Sequence, residues 1–147
     1  MKIFTIGFTK KTAERFFGLL ARSGTQRIID VRIHNVSQLA GFAKRDDLAY
    51  FARSICSVGY LHLPELAPEP GMLDDYKNKH RDWALYERQF LDLMQLRRIE
   101  DRISPDIIDG GCLLCSEDKP HHCHRRLVAE YLQKCWAGRS IEISHLV

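Results

Sequence analysis

The chain has 147 residues, 45% of them hydrophobic and 28% charged, the balance of one core-forming globular domain and not of a disordered chain. A domain of this size buries roughly 68–70% of the surface its unfolded chain exposes, so folding requires neither disulfide nor structural metal. The 22 basic and 19 acidic residues leave a net charge of +3 and are interspersed, which permits contact with phosphates but argues against constitutive DNA coating.

Lys2 to Phe8 is a short apolar run, and Ala13, Phe16, Phe17 and Leu20 then recur at helical spacing until Ser23-Gly24. Arg27 to Arg32 reads as a second buried strand. A polar stretch through Gly41-Phe42 leads to a helix carrying Leu48, Phe51, Ala52 and Ile55, with Gly59 as its stop. Tyr60 to Pro64 supplies a third strand, and Pro64, Pro68, Pro70 and Gly71 mark an irregular connection across the rim of the sheet. A short helix over 73–79 precedes a longer one over 83–100, whose Trp83, Tyr86, Phe90, Leu93 and Met94 share a face expected to be core. Gly111 to Cys115 is the fourth strand, Arg125 to Cys135 a helix, and Ile141 to Val147 a closing strand. This alternation predicts an α/β fold: a single three-layer domain over 1–147, its mostly parallel sheet flanked by helices.

No stretch approaches the roughly 18 to 20 apolar residues of a membrane span. The opening strand lacks a signal-peptide layout, so the expectation is a soluble, cytoplasmic protein that does not engage membranes. Five cysteines, at 56, 112, 115, 123 and 135, lack the spacing of a secreted scaffold and are expected to be reduced. Cys56, Cys112 and Cys135 are expected in the core.

Ligands of open α/β sheets collect beyond the carboxyl ends of the strands. That rule gathers Gly7 and Thr9, Asp30 and Arg32, Pro64 and Glu65, and Cys115 and Glu117 on one rim. Asp30 and Arg32 leave the same face of an extended segment and can reach a shared ligand or each other. Cys115 and Glu117 also share a face, while Cys112 points the other way, so Cys112-Leu-Leu-Cys115 is a poor zinc knuckle. Cys123, His124 and Arg125 sit at the first turn of a helix, where the dipole favours anions and lowers a thiol's pKa.

Three chemistries fit this loop. Cys115 or Cys123 is a thiolate nucleophile with His124 as base and Glu117 or Asp30 assisting. Alternatively, Cys115, Cys123 and His124, with His121 or His122, bind zinc without matching a standard finger. In the third reading Arg32, Arg125, Arg126 and the helix N-terminus cradle a phosphate while the cysteines only pack. The Cys-x5-Arg phosphatase spacing, the glycine-rich dinucleotide and Walker loops and the G-x-S-x-G elbow are absent.

From Thr5-Ile-Gly-Phe-Thr9 through Asp30-Val-Arg32 to Leu114-Cys-Ser-Glu117 and Cys123-His-Arg125, the chain resembles the domain of unknown function 488 family. Gly41-Phe42, His62 to Pro68, Tyr76-Lys77 and the Trp83 to Phe90 segment fall into the same pattern, whereas Asn35 and Val36 depart from the Pro-containing loop of that family. The resemblance implies a compact α/β fold with its polar motifs in one site, and assigns no activity. The expected function is an enzyme acting on a phosphate-bearing small molecule, nucleotide or modified nucleic acid. Cys115, Glu117 and His124 are its catalytic candidates, and Asp30, Arg32, Cys123 and Arg125 its binding candidates. A non-enzymatic nucleotide or nucleic-acid binding module, with Phe42, His62 and Tyr76 lining a face for a base, is the alternative, and a zinc protein the third reading. No cofactor and no metal ligand set is assigned.

Overall fold

The computed structural model describes residues 1–36 and 41–147, so residues 37–40 of the polar connection lie outside the described residues. The opening apolar run forms β1 (Lys2–Gly7). α1 (Ala13–Ser23) begins where the Thr12 hydroxyl accepts the Arg15 N–H at 3.1 Å, and stops at Gly24, whose φ of 84° ends the helix in the left-handed conformation.

β2 (Arg27–Asp30) is followed by a single turn of tight helix at Gly41–Ala43 and by α2 (Arg45–Cys56). Gly59 is not the stop of α2. Ser57 already caps it with φ 56°, its N–H reaching the Arg53 carbonyl, and Gly59 is the first residue of β3 (Gly59–His62).

The proline-rich connection holds a turn at Pro64–Leu66 and α3 (Pro70–Asp75), with a wider helical turn at Tyr76–His80. α4 (Trp83–Arg97) ends earlier than hydrophobic spacing suggests, because Arg98 takes a left-handed φ of 53° and restarts the chain as α5 (Ile99–Arg102). The short α6 (Pro105–Ile108) was not signalled by periodicity. It rests on local chemistry, with Ser104 capping the Asp106 N–H and Pro105 at the first helical position. β4 (Gly111–Cys115), α7 (His124–Cys135) and β5 (Glu142–Leu146) complete the chain.

The strands form one five-stranded sheet in the order β3-β2-β4-β1-β5, with every pairing parallel. Helices cover both faces, giving the α/β three-layer architecture. On one face α4, α5 and α7 pack Phe90, Met94, Ile99, Val128 and Leu132 over Ile29, Val31 and Leu113. On the other, α1 and α2 pack Phe16, Phe17, Leu20, Leu48 and Ala52 over Ile6, Ile28, Cys112 and Leu114. No described helix is long and apolar enough to cross a membrane.

All five cysteines are free thiols. Cys112 is buried, but Cys56 is only half-buried and Cys135 exposed, so the core expectation fails for Cys135. That residue is the last of α7, where position on an apolar stripe does not by itself bring burial.

Candidate functional site

β1 and β4 are neighbours at the centre of the sheet, yet β1 leads to α1 on one face and β4 to α7 on the other. Such a switch point opens a crevice at the strand ends. The loop after β4 is sewn to the end of β1. The Thr9 N–H donates to the Ser116 carbonyl at 3.0 Å, and Lys11 Nζ, almost fully buried, meets the Asp118 carboxylate at 2.6 Å. Gly7 is required here because a Cβ would overlap the Glu117 carbonyl oxygen.

Arg125 completes this seam. Wholly buried, its guanidinium donates to the carbonyls of Glu117 and, at 3.2 Å, Asp118. It is therefore a clamp on the 117–118 backbone and does not line the cavity described below, contrary to the expectation of an anion ligand.

Cys115, the last residue of β4, turns toward the α4/α7 face and meets the start of α7. Its Sγ lies 3.5 Å from His124 Nδ1. His124 Nε2 lies 2.7 Å from the Val31 carbonyl oxygen, which can only accept, so Nε2 carries a proton and Nδ1 faces the thiol. The Cys115 thiol is held well below its ordinary range, first by a hydrogen bond from Cys123 and then by the charge and hydrogen bond of His124, against burial. Burial alone would lower His124, but the facing Cys115 thiolate raises it. The Cys123 thiol is pushed up by burial and by donating to Cys115. Cys115 Sγ, Cys123 Sγ and a ring nitrogen of His124 lie within 4.8 Å of one another.

These three residues form one end of a cavity of about 220 Å³. Its other walls carry Tyr76, Lys77, Trp83, Tyr86 and His122, with Glu117 and the 32–34 segment at the rim. Trp83 stacks between Tyr86 at 5.1 Å and His122 at 4.9 Å. Tyr86 is buried in the core and Trp83 packs against it, as the helical stripe predicts, and both also line the cavity. Period alone cannot distinguish a helical stripe that packs from one whose N-terminal end faces a cavity.

Of Asp30 and Arg32, both expected to wall the site, Arg32 borders the cavity and Asp30 does not. Ile29 and Val31 belong to the α4/α7 face, so the side chains of Asp30 and Arg32 turn to the opposite one. Both are buried, and Asp30 accepts from Arg32 Nε and Nη2, each at 2.8 Å, and from the Tyr60 hydroxyl at 2.5 Å. The guanidinium also donates to the Ala43 carbonyl at 2.8 Å and sits 5.3 Å from the Phe8 ring. The guanidinium is thus held on the α1/α2 face, with its Nη1 lacking a hydrogen-bond partner among the described residues, while Arg32 also borders the cavity that contains Cys115. The pair stiffens residues 30–32, together with His62, whose Nε2 meets the Arg32 carbonyl at 2.8 Å. Those residues include Val31, whose carbonyl fixes His124.

Phe42, His62 and Tyr76 do not share a face. Phe42 packs on Phe16 and Phe17 under α1, while Tyr76 lines the cavity. Tyr60, the partner of Asp30, was not anticipated; its only signal is the β2–β3 pairing that sets Ile28 beside Tyr60 and Asp30 beside His62.

The profile of the family described as "Domain of unknown function DUF488" matches residues 12–132. The chain belongs to this family. Comparison with curated proteins and with solved structures gives no match. In this DUF488 chain the matched segment contains the whole thiol–imidazole cluster and all the cavity-lining residues, whereas Gly7 and Thr9 precede it.

Proposed function

We propose that this protein is an enzyme acting on a small anion-bearing molecule of nucleotide-like chemistry. The reaction takes place at Cys115, Cys123 and His124, and Glu117 handles the proton. A single observation carries the reading: a buried thiol–imidazole cluster shares one cavity with the exposed carboxylate of Glu117 and with Lys77, His122 and three aromatic rings. Simple packing does not call for a mixed acid, base and thiol set opening on a cavity. The ammonium of Lys77 suits a phosphate or carboxylate, and the rings suit a planar group. Arg32 also borders this cavity, while Arg125 and Asp30 support the site from behind.

The test is a turnover screen of nucleotides, sugar phosphates and related phosphate-bearing compounds with the full chain. For a compound that is consumed, Cys115→Ser and Glu117→Gln each lower kcat at least about 100-fold, the low end of what a positioned acid–base group contributes. Full turnover in both variants would sink the catalytic assignment. A compound bound in a salt-sensitive manner but never consumed would favour the binding-module reading instead.

A further inference from the structure

We propose that Cys115 Sγ, Cys123 Sγ and His124 Nδ1 are the protein ligands of a zinc ion whose fourth position opens on the cavity. This deepens the reading of the same site as a reaction centre, but its argument is ligand geometry. Tetrahedral zinc with bonds of about 2.3 Å to sulfur and about 2.0–2.1 Å to nitrogen puts neighbouring ligand atoms roughly 3.6–3.8 Å apart. Here Cys115 Sγ and His124 Nδ1 are 3.5 Å apart, and all three donors fall within 4.8 Å, so side-chain adjustments of less than an ångström or so close the site.

The surroundings fit as well. A metal-bound histidine nearly always donates its other ring N–H to a carboxylate or carbonyl, which fixes the ring and its tautomer. His124 does this through Nε2 to the Val31 carbonyl at 2.7 Å. Two thiolates and an imidazole favour zinc over magnesium, calcium or manganese. The dication balances two buried thiolates, a burden Arg125 alone does not meet. His121 and His122, weighed from the sequence as further ligands, are exposed, and His122 is stacked on Trp83.

Three protein ligands with one position left for solvent or substrate is the arrangement of a catalytic zinc, whereas structural zinc sites are closed by four. Here Cys115, Cys123 and His124 themselves line the cavity wall. Glu117, two residues beyond Cys115, lines the same cavity and is the carboxylate nearest in sequence for taking a proton from a zinc-bound water.

The experiment is titration of the purified, untagged, metal-stripped full chain with cobalt(II) and zinc(II), followed by absorbance. One equivalent of cobalt should give the intense bands of tetrahedral coordination together with thiolate-to-metal charge transfer, and zinc should displace it. Cys123→Ser and His124→Gln should each weaken zinc affinity at least about 100-fold, beyond what loss of a supporting contact does, while Cys135→Ser leaves it unchanged. Circular dichroism identifies variants that remain folded, and Cys115→Ser provides a third independent ligand test. A weak octahedral cobalt spectrum, or wild-type zinc affinity in folded Cys123→Ser, would overturn the proposal. Failure here with turnover still lost in Cys115→Ser leaves the enzyme reading standing on a metal-free thiolate. Zinc binding with no turnover of any compound leaves the metal site and removes the enzyme reading.

Discussion

Asp30 accepts four hydrogen bonds, from the Arg32 backbone N–H, from two guanidinium nitrogens and from the Tyr60 hydroxyl. A carboxylate so enclosed is stable only while its partners remain, because an isolated buried charge is strongly unfavourable. Asp30→Ala, which strands the Arg32 cation, should lower unfolding free energy by about 3–5 kcal/mol. Tyr60→Phe removes one bond to a charged acceptor and should lower it by about 1.5–3 kcal/mol. Urea denaturation of the two variants checks the order; equal midpoints would mean that the pair is not the keystone of this cluster. Alternation correctly placed Asp30 and Arg32 on a common side and within reach of each other, and correctly turned Cys112 away from Cys115. It could not show that the Asp30 carboxylate lies across the sheet from the thiol while Arg32 still borders the cavity, since that depends on which face of β2 lies on the same side as the chosen face of β4. Pairing register decides this, and no local pattern encodes it.

At the scale of elements, the site is a seam between the ends of β1 and β4. The Thr9–Ser116 backbone bond, the Lys11–Asp118 ion pair and the Arg125 clamp hold the 116–118 segment, so that Cys115 and the start of α7 keep their spacing. Gly7 is the tightest point. An added methyl meets the Glu117 carbonyl and the Arg125 guanidinium together, leaving neither backbone nor clamp room to relax. Gly7→Ala should therefore destabilise by at least the upper end of the about 1–3 kcal/mol typical of overpacking. The matching readout is thermal melting, and a melting point unchanged from wild type would show that the loop yields freely. Elements with strong periodicity or caps were legible in the sequence: β1, α1, β4 and α7 fall within a residue or two of their expected places. α6 and the end of α4 were not, because Ser104-Pro105 capping and the left-handed turn at Arg98 act over one or two residues, below the window in which hydrophobic spacing is read.

For the whole molecule, the parallel sheet partitions the work. Its α4/α7 face carries the thiols, the imidazole and the cavity, and its α1/α2 face carries the Asp30–Arg32 pair and a second apolar cluster. A defect of equal size on the two faces should then have the same effect on stability and a different effect on the site. Phe90 and Phe16 suit the comparison, since both are fully buried and both are phenylalanines on helices packed against the sheet. The ring of Phe90 lies 5.5 Å from that of His124, whereas Phe16 packs against Phe17 and Phe42 on the opposite face. Truncation to alanine at either position should reduce stability by about 3–5 kcal/mol, the transfer and cavity contributions of a lost core aromatic. Only Phe90→Ala should also loosen His124, and in the fraction that remains folded at low temperature its zinc affinity should fall by about 10–100-fold, the size of effect expected when a ligand's supporting shell is removed. Phe16→Ala should retain the wild-type affinity. Equal loss of affinity in both variants would mean that strain crosses the sheet freely, and that the thiol face is not the independent unit its packing describes.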